Sequence, residues 1–547
     1  MQAPRSDPTH PYRSVIAAGG PATVAAGEAM LAAGGNAVDA AVAAAFASFI
    51  AEIGLVHWGG AGLALVHDPS SGQSLAYDFL SAMPGLDGPP ERSALDFEAV
   101  SIDFGSTRQS FHLGRASVAV PGAVFGLCQM ARDFGRLELP QLLGPALRLA
   151  REGVPLDAFQ ADTCALLAPL YTHTPGMRRI FLVDGRMIRV GEVLRIPDLA
   201  ETLERLALGG EAELRVGQLG QALCRDQAAR GGMLGPSDLQ RYAVRRHAPL
   251  RIRYRGLDLL LPPPPSMGGL LTAFSLALLG ETGSVAPGST RELRRFYEVM
   301  DLTQEARGRI ESMLEVLSGG EVAERVLAPD FVRPHAAQLR ARLERGARHG
   351  PRDAGAEPPG PAGSRLGNTS HISVLDGDGM AVSLTTTAGE SAGYVVPGTG
   401  FIPNNMLGEA DLNPHGWHAW PAGSRIPSMM TPVLALDGRG VRLVTGSGGS
   451  ERIRSAVLQV LSAFLEGGLD LAASVNRPRV HLERGILHCE GGSDPLAVDG
   501  LEALGYPVRR WPGGSIYFGG AHSVGRGAEG RLAAAGDPRR AGAFGGV

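Results

Sequence analysis

The sequence predicts a mixed α/β protein assembled in layers, and three observations carry that expectation. An Ala-rich apolar pattern from Pro21 to Ile53, broken by Gly34-Gly35-Asn36, reads as two packed helices joined by a C-cap turn. Two turn clusters, Pro69-Ser70-Ser71-Gly72 and Asp376-Gly377-Asp378-Gly379, each separate a pair of β-rich runs. Between them, Val124 to Leu317 reads mainly as helices with short connections. At 547 residues the chain exceeds one ordinary domain, yet a layered α/β body can use most of that length as a single core.

Taken in order, Ala61 to His67 and Gln73 to Phe79 form the first hairpin, and Arg115 to Pro121 is expected to add a short strand ending at Pro-Gly. An apolar strand starting at Leu257 runs into Pro262 to Pro265 and Ser266-Met267-Gly268-Gly269. A rigid turn between strand and helix fits this run better than a ligand for an aromatic groove. From Arg345 to Gly367, Gly, Pro and Arg dominate and apolar residues nearly vanish, the composition of a linker. Strands follow at His371 to Leu375, Met380 to Thr385, Pro432 to Leu436 and Val441 to Thr445. A helix is expected from Ile453 to Leu465 and a final hairpin near Ser515 to Val524.

Composition narrows the function. A net charge of −4 leaves no basic field for phosphate backbones or anionic lipid, so neither nucleic acid nor membrane is an expected partner. Every basic residue is Arg, which excludes Schiff-base chemistry and lysine general bases. Cys128, Cys164, Cys224 and Cys489 stand far apart without CxxC spacing, so buried free thiols are expected and neither a metal site nor a disulfide framework. Met1 to Arg13 lacks the charged-then-apolar plan of a secretion signal, which makes cytoplasm the expected location. Ala37 to Leu55 contains Asp39 and Glu52 and reads as a buried helix, not a membrane span.

A Thr hydroxyl is a poor nucleophile near neutral pH unless a base stands beside it, and the nearest base is the α-amine of the same residue. That amine must first be freed. Asn368-Thr369-Ser370-His371, at the junction of linker and strand, has the setting for the Thr369 hydroxyl to attack the preceding carbonyl. The junction alone reads more readily as an ordinary surface turn.

The surrounding motifs resemble those of the gamma-glutamyltranspeptidase family over nearly the whole chain. In order they are Ala33-Gly34-Gly35-Asn36-Ala37-Val38-Asp39-Ala40-Ala41, Gly59-Gly60-Ala61-Gly62, Val118 to Gly122 and the Pro262 to Gly269 turn. After the linker come Thr369-Ser370-His371, Asp376 to Gly379, Asn404-Asn405, Thr445 to Gly449 and Gly536-Asp537-Pro538-Arg539. The resemblance implies a four-layer αββα body without a cofactor or metal. It implies a large fragment, 1–368, and a small one, 369–547, that stay associated as a heterodimer, with a higher homo-oligomer left open. It also implies cleavage between Asn368 and Thr369, Thr369 as nucleophile, Thr387 as its supporting hydroxyl, and the amides of Gly449 and Ser450 as the oxyanion hole.

Several positions depart from the family pattern. Leu80 stands where the resemblance implies a carboxylate-binding Arg, Gly389 where it implies Asn, and Met406 where it implies Gln. Glu409 replaces Asp, and of two serines the first is kept as Ser428 while the second is Met429. Each lost charge-assisted bond removes about 1.5–3 kcal/mol of zwitterion binding. The expectation is an amidohydrolase or acyltransferase for a small-molecule amide whose pocket is not strictly selective for γ-glutamyl groups. Ordinary core packing would explain the same apolar residues equally well. Arg425 and Arg452 are candidates for a relocated charge, and the Glu409 to Arg425 stretch, with His415, Trp417, His418 and Trp420, is expected to rim the pocket. A true glutathione hydrolase, a specialised biosynthetic enzyme that includes carbon–carbon cleavage, and an uncut binding protein are the rival readings.

Overall fold

The computed structural model describes residues 12–88, 94–103, 108–345, 368–527 and 529–547. Two antiparallel sheets stand face to face. The seven-stranded sheet runs Arg245–His247, Gln73–Phe79, Ala61–Asp68, Ala381–Thr387, Thr369–Leu375, Val15–Ala18, Ala543–Gly546 from edge to edge. The six-stranded sheet runs Leu250–Tyr254, Leu257–Leu261, Val433–Asp437, Gly440–Gly448, Gly520–Arg526, Leu532–Ala535.

Side-chain alternation along these strands assigns the layers. Val15, Ala17, Leu65 and Leu375 of the first sheet share one apolar cluster with Leu260, Leu434, Val444 and Val524 of the second, which is the seam between the sheets. Their neighbours Ile16, Ala18, Ala64, Val66, Ile372 and Val374 turn the other way, into a cluster with the helices Pro21–Ala32, Ala37–Ala51 and Ala123–Phe134. On the far side, Leu259, Leu261, Val433, Ala435 and Leu443 pack against Met267–Gly280, Thr290–Leu314 and Arg452–Leu465. The result is helix, sheet, sheet, helix, the expected four layers.

The Ala37–Ala51 helix lies at the bottom of the first helix layer and is buried nearly all round, which is why it is Ala-rich and not amphipathic. Asn36 caps it by accepting from Val38 N at 2.9 Å and Asp39 N at 3.1 Å, and Asp39 completes the capping box. Asp376, from the Asp-Gly-Asp-Gly hairpin, accepts from Ala37 N at 2.9 Å, so two distant motifs meet at one helix end. Among the described residues no helix is long and apolar enough to cross a membrane.

Three expectations need correction or completion. Arg115 to Pro121 is not a strand: Arg115–Ser117 is a 3-10 turn, and Val120 makes a single bridge with Ala82. The Asn404 side chain accepts from Ala119 N at 3.0 Å and donates to Ala119 O at 2.9 Å, taking the main-chain groups a neighbouring strand would need. The final hairpin pairs Gly520–Arg526 with Leu532–Ala535, while Ile516–Phe518 is a 3-10 turn whose Tyr517 N donates to Ser515 Oγ. The edge strands Val15–Ala18 and Ala543–Gly546, four residues each, are too short to show a period. From residue 346 on, the stretch read as a linker lies outside the described residues.

Both sheets mix strands from before and after residue 368. Thr369–Leu375 is held between Val15–Ala18 and Ala381–Thr387, and the latter pairs in turn with Ala61–Asp68.

Candidate active site

Thr369 opens a central strand, opposite Thr387 on one neighbour, and Thr387 stands opposite Ala61 on the next. The Thr387 hydroxyl donates to the carbonyl oxygen of Asn368 at 2.6 Å. Arg540, two residues beyond Pro538 in the Gly-Asp-Pro-Arg motif, donates to Thr369 O at 3.1 Å. Asp537 orders that corner by accepting from Ala521 N at 2.8 Å and pairing with Arg479 at 2.5 Å. The end of the Gly440–Gly448 strand comes so close that a Cβ at Gly448 would lie 2.2 Å from Thr369 O. Only glycine permits that approach. The next two residues turn with φ of 127° at Gly449 and 51° at Ser450.

The motifs scattered through the sequence converge here. Asn404 donates to Gly59 O at 2.7 Å as well as to Ala119 O, and Gly122 N donates to Gly60 O at 3.0 Å. Ser266 Oγ, at the end of the Pro-rich turn, donates to Met430 O at 2.8 Å, and Gly268 N donates to Ser428 O at 3.2 Å. Asn368, Thr369 and Thr387 line a cleft of about 1290 Å³, to which Ser428 and Met430 also belong.

Leu80, Gly389, Met406, Glu409, Ser428, Met429 and Ser450 all border the same cleft. Gly449 does not reach its lining. Leu80 and Met406 are 2% and 4% exposed, so they pack in the core and bound the cleft at once. Arg425 borders the cleft but is committed to Asp78, with Nε 3.3 Å from Oδ1, and lies over the Tyr242 ring. Arg452 is buried outside the lining, with Nε donating to Tyr517 O at 3.2 Å. His415 and Trp420 rim the cleft. Trp417 instead packs edge-on to Phe97 and tilted against His112, and His418 lies tilted against Phe97, none of them in the lining. Among the described residues no group of three His, Cys, Asp or Glu side chains is placed to hold a metal ion. The four cysteines are free; burial pushes the Cys128, Cys164 and Cys489 thiols up to about 12, leaving them inert at neutral pH.

Two buried carboxyls close to Thr369, Glu52 and Glu390, escaped the sequence reading. Glu52 accepts from Thr23 Oγ1 at 2.5 Å and from Ser370 Oγ, and burial lifts it to about 7 against the pull of those hydroxyls. Glu390 accepts from Asn368 Nδ2, and burial, then the neighbouring Glu409 charge, hold it well above the ordinary carboxylate range while Arg540 opposes the shift. Glu409 is lifted to about 8 by burial and then by Asp411. The position of Glu409 was singled out, its pairing with Glu390 was not. Nothing in the spacing of Gly389-Glu390-Ser391 signals that contact, which exists only because the strand end folds back over Asn405. There Asn405 Oδ1 accepts from Glu390 N at 2.7 Å.

The Gly389 and Glu409 departures are coupled. Gly389 has φ of 63°, and a Cβ built on it would fall 2.2 Å from Glu409 Oε1 and 2.3 Å from Asn405 Oδ1. The longer acid therefore occupies the room that a side chain at 389 would need.

A family model described as Gamma-glutamyltranspeptidase matches residues 23–547. The chain belongs to the gamma-glutamyltranspeptidase family. It is 31% identical over 519 residues to the Acylase ACY 1 proenzyme of Pseudomonas sp. (strain SE83), covering 92% of this chain and 89% of that relative. It is 27% identical over 480 residues to the Glutathione hydrolase proenzyme of Bacillus subtilis (strain 168), covering 85% and 80%. The crystal structure of cephalosporin acylase from Bacillus halodurans shares the fold, with a TM-score of 0.82 at 23% identity over 100% of this chain and 99% of that one. As a gamma-glutamyltranspeptidase-type protein the chain is an enzyme, an autoprocessing amidohydrolase or acyltransferase.

Proposed function

We propose that the chain is cut between Asn368 and Thr369, and that Thr369, as a new N-terminus, hydrolyses a small-molecule amide whose acyl group is not strictly γ-glutamyl. The observation that carries this reading is the 2.6 Å hydrogen bond from Thr387 Oγ1 to the Asn368 carbonyl. A donor on that oxygen stabilises the negative charge that develops when the neighbouring Thr369 hydroxyl attacks the carbonyl carbon. The acyl group moves from nitrogen to oxygen, which frees the Thr369 α-amine, and water then cleaves the ester to release the Asn368 carboxylate and the Thr369 hydroxyl. In the mature enzyme the amine takes the proton of the Thr369 hydroxyl as it attacks substrate and passes it to the leaving amine. Water or a second amine then receives the acyl group. The turn at Gly449 and Ser450 supplies main-chain N–H groups for the oxyanion. The two fragments stay together because each contributes strands to both sheets, which makes the mature protein a heterodimer of 1–368 and 369–547.

Selectivity rests on the other end of the cleft. Leu80 and Met429 offer no charge to a carboxylate, and the Arg425 guanidinium is already held by Asp78. The kinship with an acylase agrees with a pocket that does not demand a zwitterion. The glutathione-hydrolase reading keeps one observation in its favour, the acidic Glu409 in the lining. A screen of γ-glutamyl, glutaryl and simple acyl amides separates the two: robust preference for γ-glutamyl amides would reverse the proposal. Processing is checked by gel electrophoresis, where fragments of about 38 and 19 kDa by residue share are expected from the 57.1 kDa chain.

A further inference from the structure

The cut that makes Thr369 a chain end also removes one of its two covalent tethers. A terminal residue is poorly ordered unless something ties it down, and a reacting group displaced by about 1 Å loses about 10²-fold in rate. The mature enzyme therefore needs contacts that hold Thr369 without Asn368. Side-chain alternation turns Ser370, like Ile372 and Val374, away from the cleft and towards the first helix layer, where its hydroxyl donates to Glu52 Oε2. Glu52 is the C-cap residue of the Ala37–Ala51 helix, and its other oxygen accepts from Thr23 Oγ1 at 2.5 Å. Ser370, Glu52 and Thr23 are 3%, 1% and 0% exposed, so the contact is closed to solvent. Gly19 leaves the room for it: a Cβ there would fall 2.2 Å from Glu52 Oε2 and 2.9 Å from Ser370 Oγ. One residue earlier on the strand, Arg540 donates to Thr369 O at 3.1 Å, and its positive charge favours the ionised Glu52. Thr23 and Glu52 come from the stretch before residue 368, Ser370 and Arg540 from the stretch after it.

We propose that Glu52, acting through Ser370, is a positioning residue: it pins the second residue of the freed strand, so that the Thr369 hydroxyl and α-amine stay in place once the link to Asn368 is lost. This rests on the reading of Thr369 as nucleophile. Arg540 holds the Thr369 carbonyl while Glu52 holds the next side chain from the far face, and together they fix a strand end that has no residue before it. In the precursor Asn368 is a tether of its own, bonded through its carbonyl to Thr387 Oγ1 at 2.6 Å. The clamp therefore matters less for self-cleavage than for turnover. A carboxyl that only filled the core would weigh on both reactions alike.

The test measures self-cleavage and hydrolysis on the same full-length variants, with the best of the γ-glutamyl, glutaryl and butyryl p-nitroanilides as substrate. Ser370→Ala is expected to lower kcat about tenfold or more while leaving KM within about twofold and the half-life of the full-length band within about threefold. Ser370→Thr, which restores a hydroxyl on a residue suited to a strand, is expected to recover most of the loss. Adding Glu52→Gln to Ser370→Ala should bring no further loss of kcat, because the two side chains act as one contact. Wild-type kcat in Ser370→Ala, an equal loss in self-cleavage and hydrolysis, or additive effects in the double variant would overturn the inference while leaving Thr369 as nucleophile intact. Should Ser370→Ala fail to fold, Glu52→Gln, which keeps the shape of the side chain, decides. A kcat about threefold lower with self-cleavage unchanged supports the clamp, and wild-type kcat overturns it. A wild-type chain that stays uncut would instead remove the reading beneath the inference.

Discussion

The two ends of the cleft are held by different means. At the Thr369 end the contacts run through main-chain atoms: Asn368 O, Thr369 O and a Gly448 approach that excludes any side chain. At the acyl end the contacts run between side chains, and a change at one position is answered at another, as Gly389 answers Glu409. Main-chain geometry tolerates little variation, so family motifs survive there. A pocket of interlocking side chains can be rebuilt while the chemistry stays fixed.

The comparison predicts a graded set of effects. Thr369→Ala should abolish self-cleavage and lower hydrolysis by about 10⁴-fold or more, read by electrophoresis and a p-nitroanilide assay. Thr387→Ala removes the donor on the scissile carbonyl and should slow self-cleavage about 10²-fold or more, measured as the half-life of the full-length band. A mild effect there would mean that the reaction end does not depend on that contact. Gly389→Ala forces a Cβ to within 2.2 Å of Glu409 Oε1 at a φ of 63°. It should cost about 1–3 kcal/mol in denaturant unfolding and raise KM more than it lowers kcat. An unchanged KM would break the link drawn between positions 389 and 409.

The last effect concerns stability alone. Burial raises Glu52 from 4.5 to about 7, so the folded state holds a proton that the unfolded state has released. Its contribution is present below pH 4.5 and is lost as pH rises to about 7, amounting to roughly 3 kcal/mol over that window. Against Glu52→Gln, which carries no such titration, wild type should lose ground steadily across the window in thermal melts. A constant difference between the two proteins would contradict the burial argument.

How much was legible in the sequence follows the same division. The Ala-rich helix pair, the Asp376 to Gly379 hairpin and the strand starting at Thr369 were readable because each has a local signature in period, cap or turn. Arg115 to Pro121 misled because its β-like composition is overruled by Asn404, a partner almost three hundred residues away. Glu52 and Glu390 were invisible for a related reason: a carboxyl acquires a raised pKa only from what buries it, and their burial is created by tertiary contacts with Ser370 and Asn368. Leu80 and Met406 border the cleft and fill the core together, so neither of the two readings open to them excluded the other.

The account stands on Thr369 becoming a chain end. Intact-mass and N-terminal sequencing of purified active protein tests this most directly. Two polypeptides, the smaller beginning Thr369-Ser370-His371, are the expected result. One uncut chain that hydrolyses amides at the full rate would contradict it.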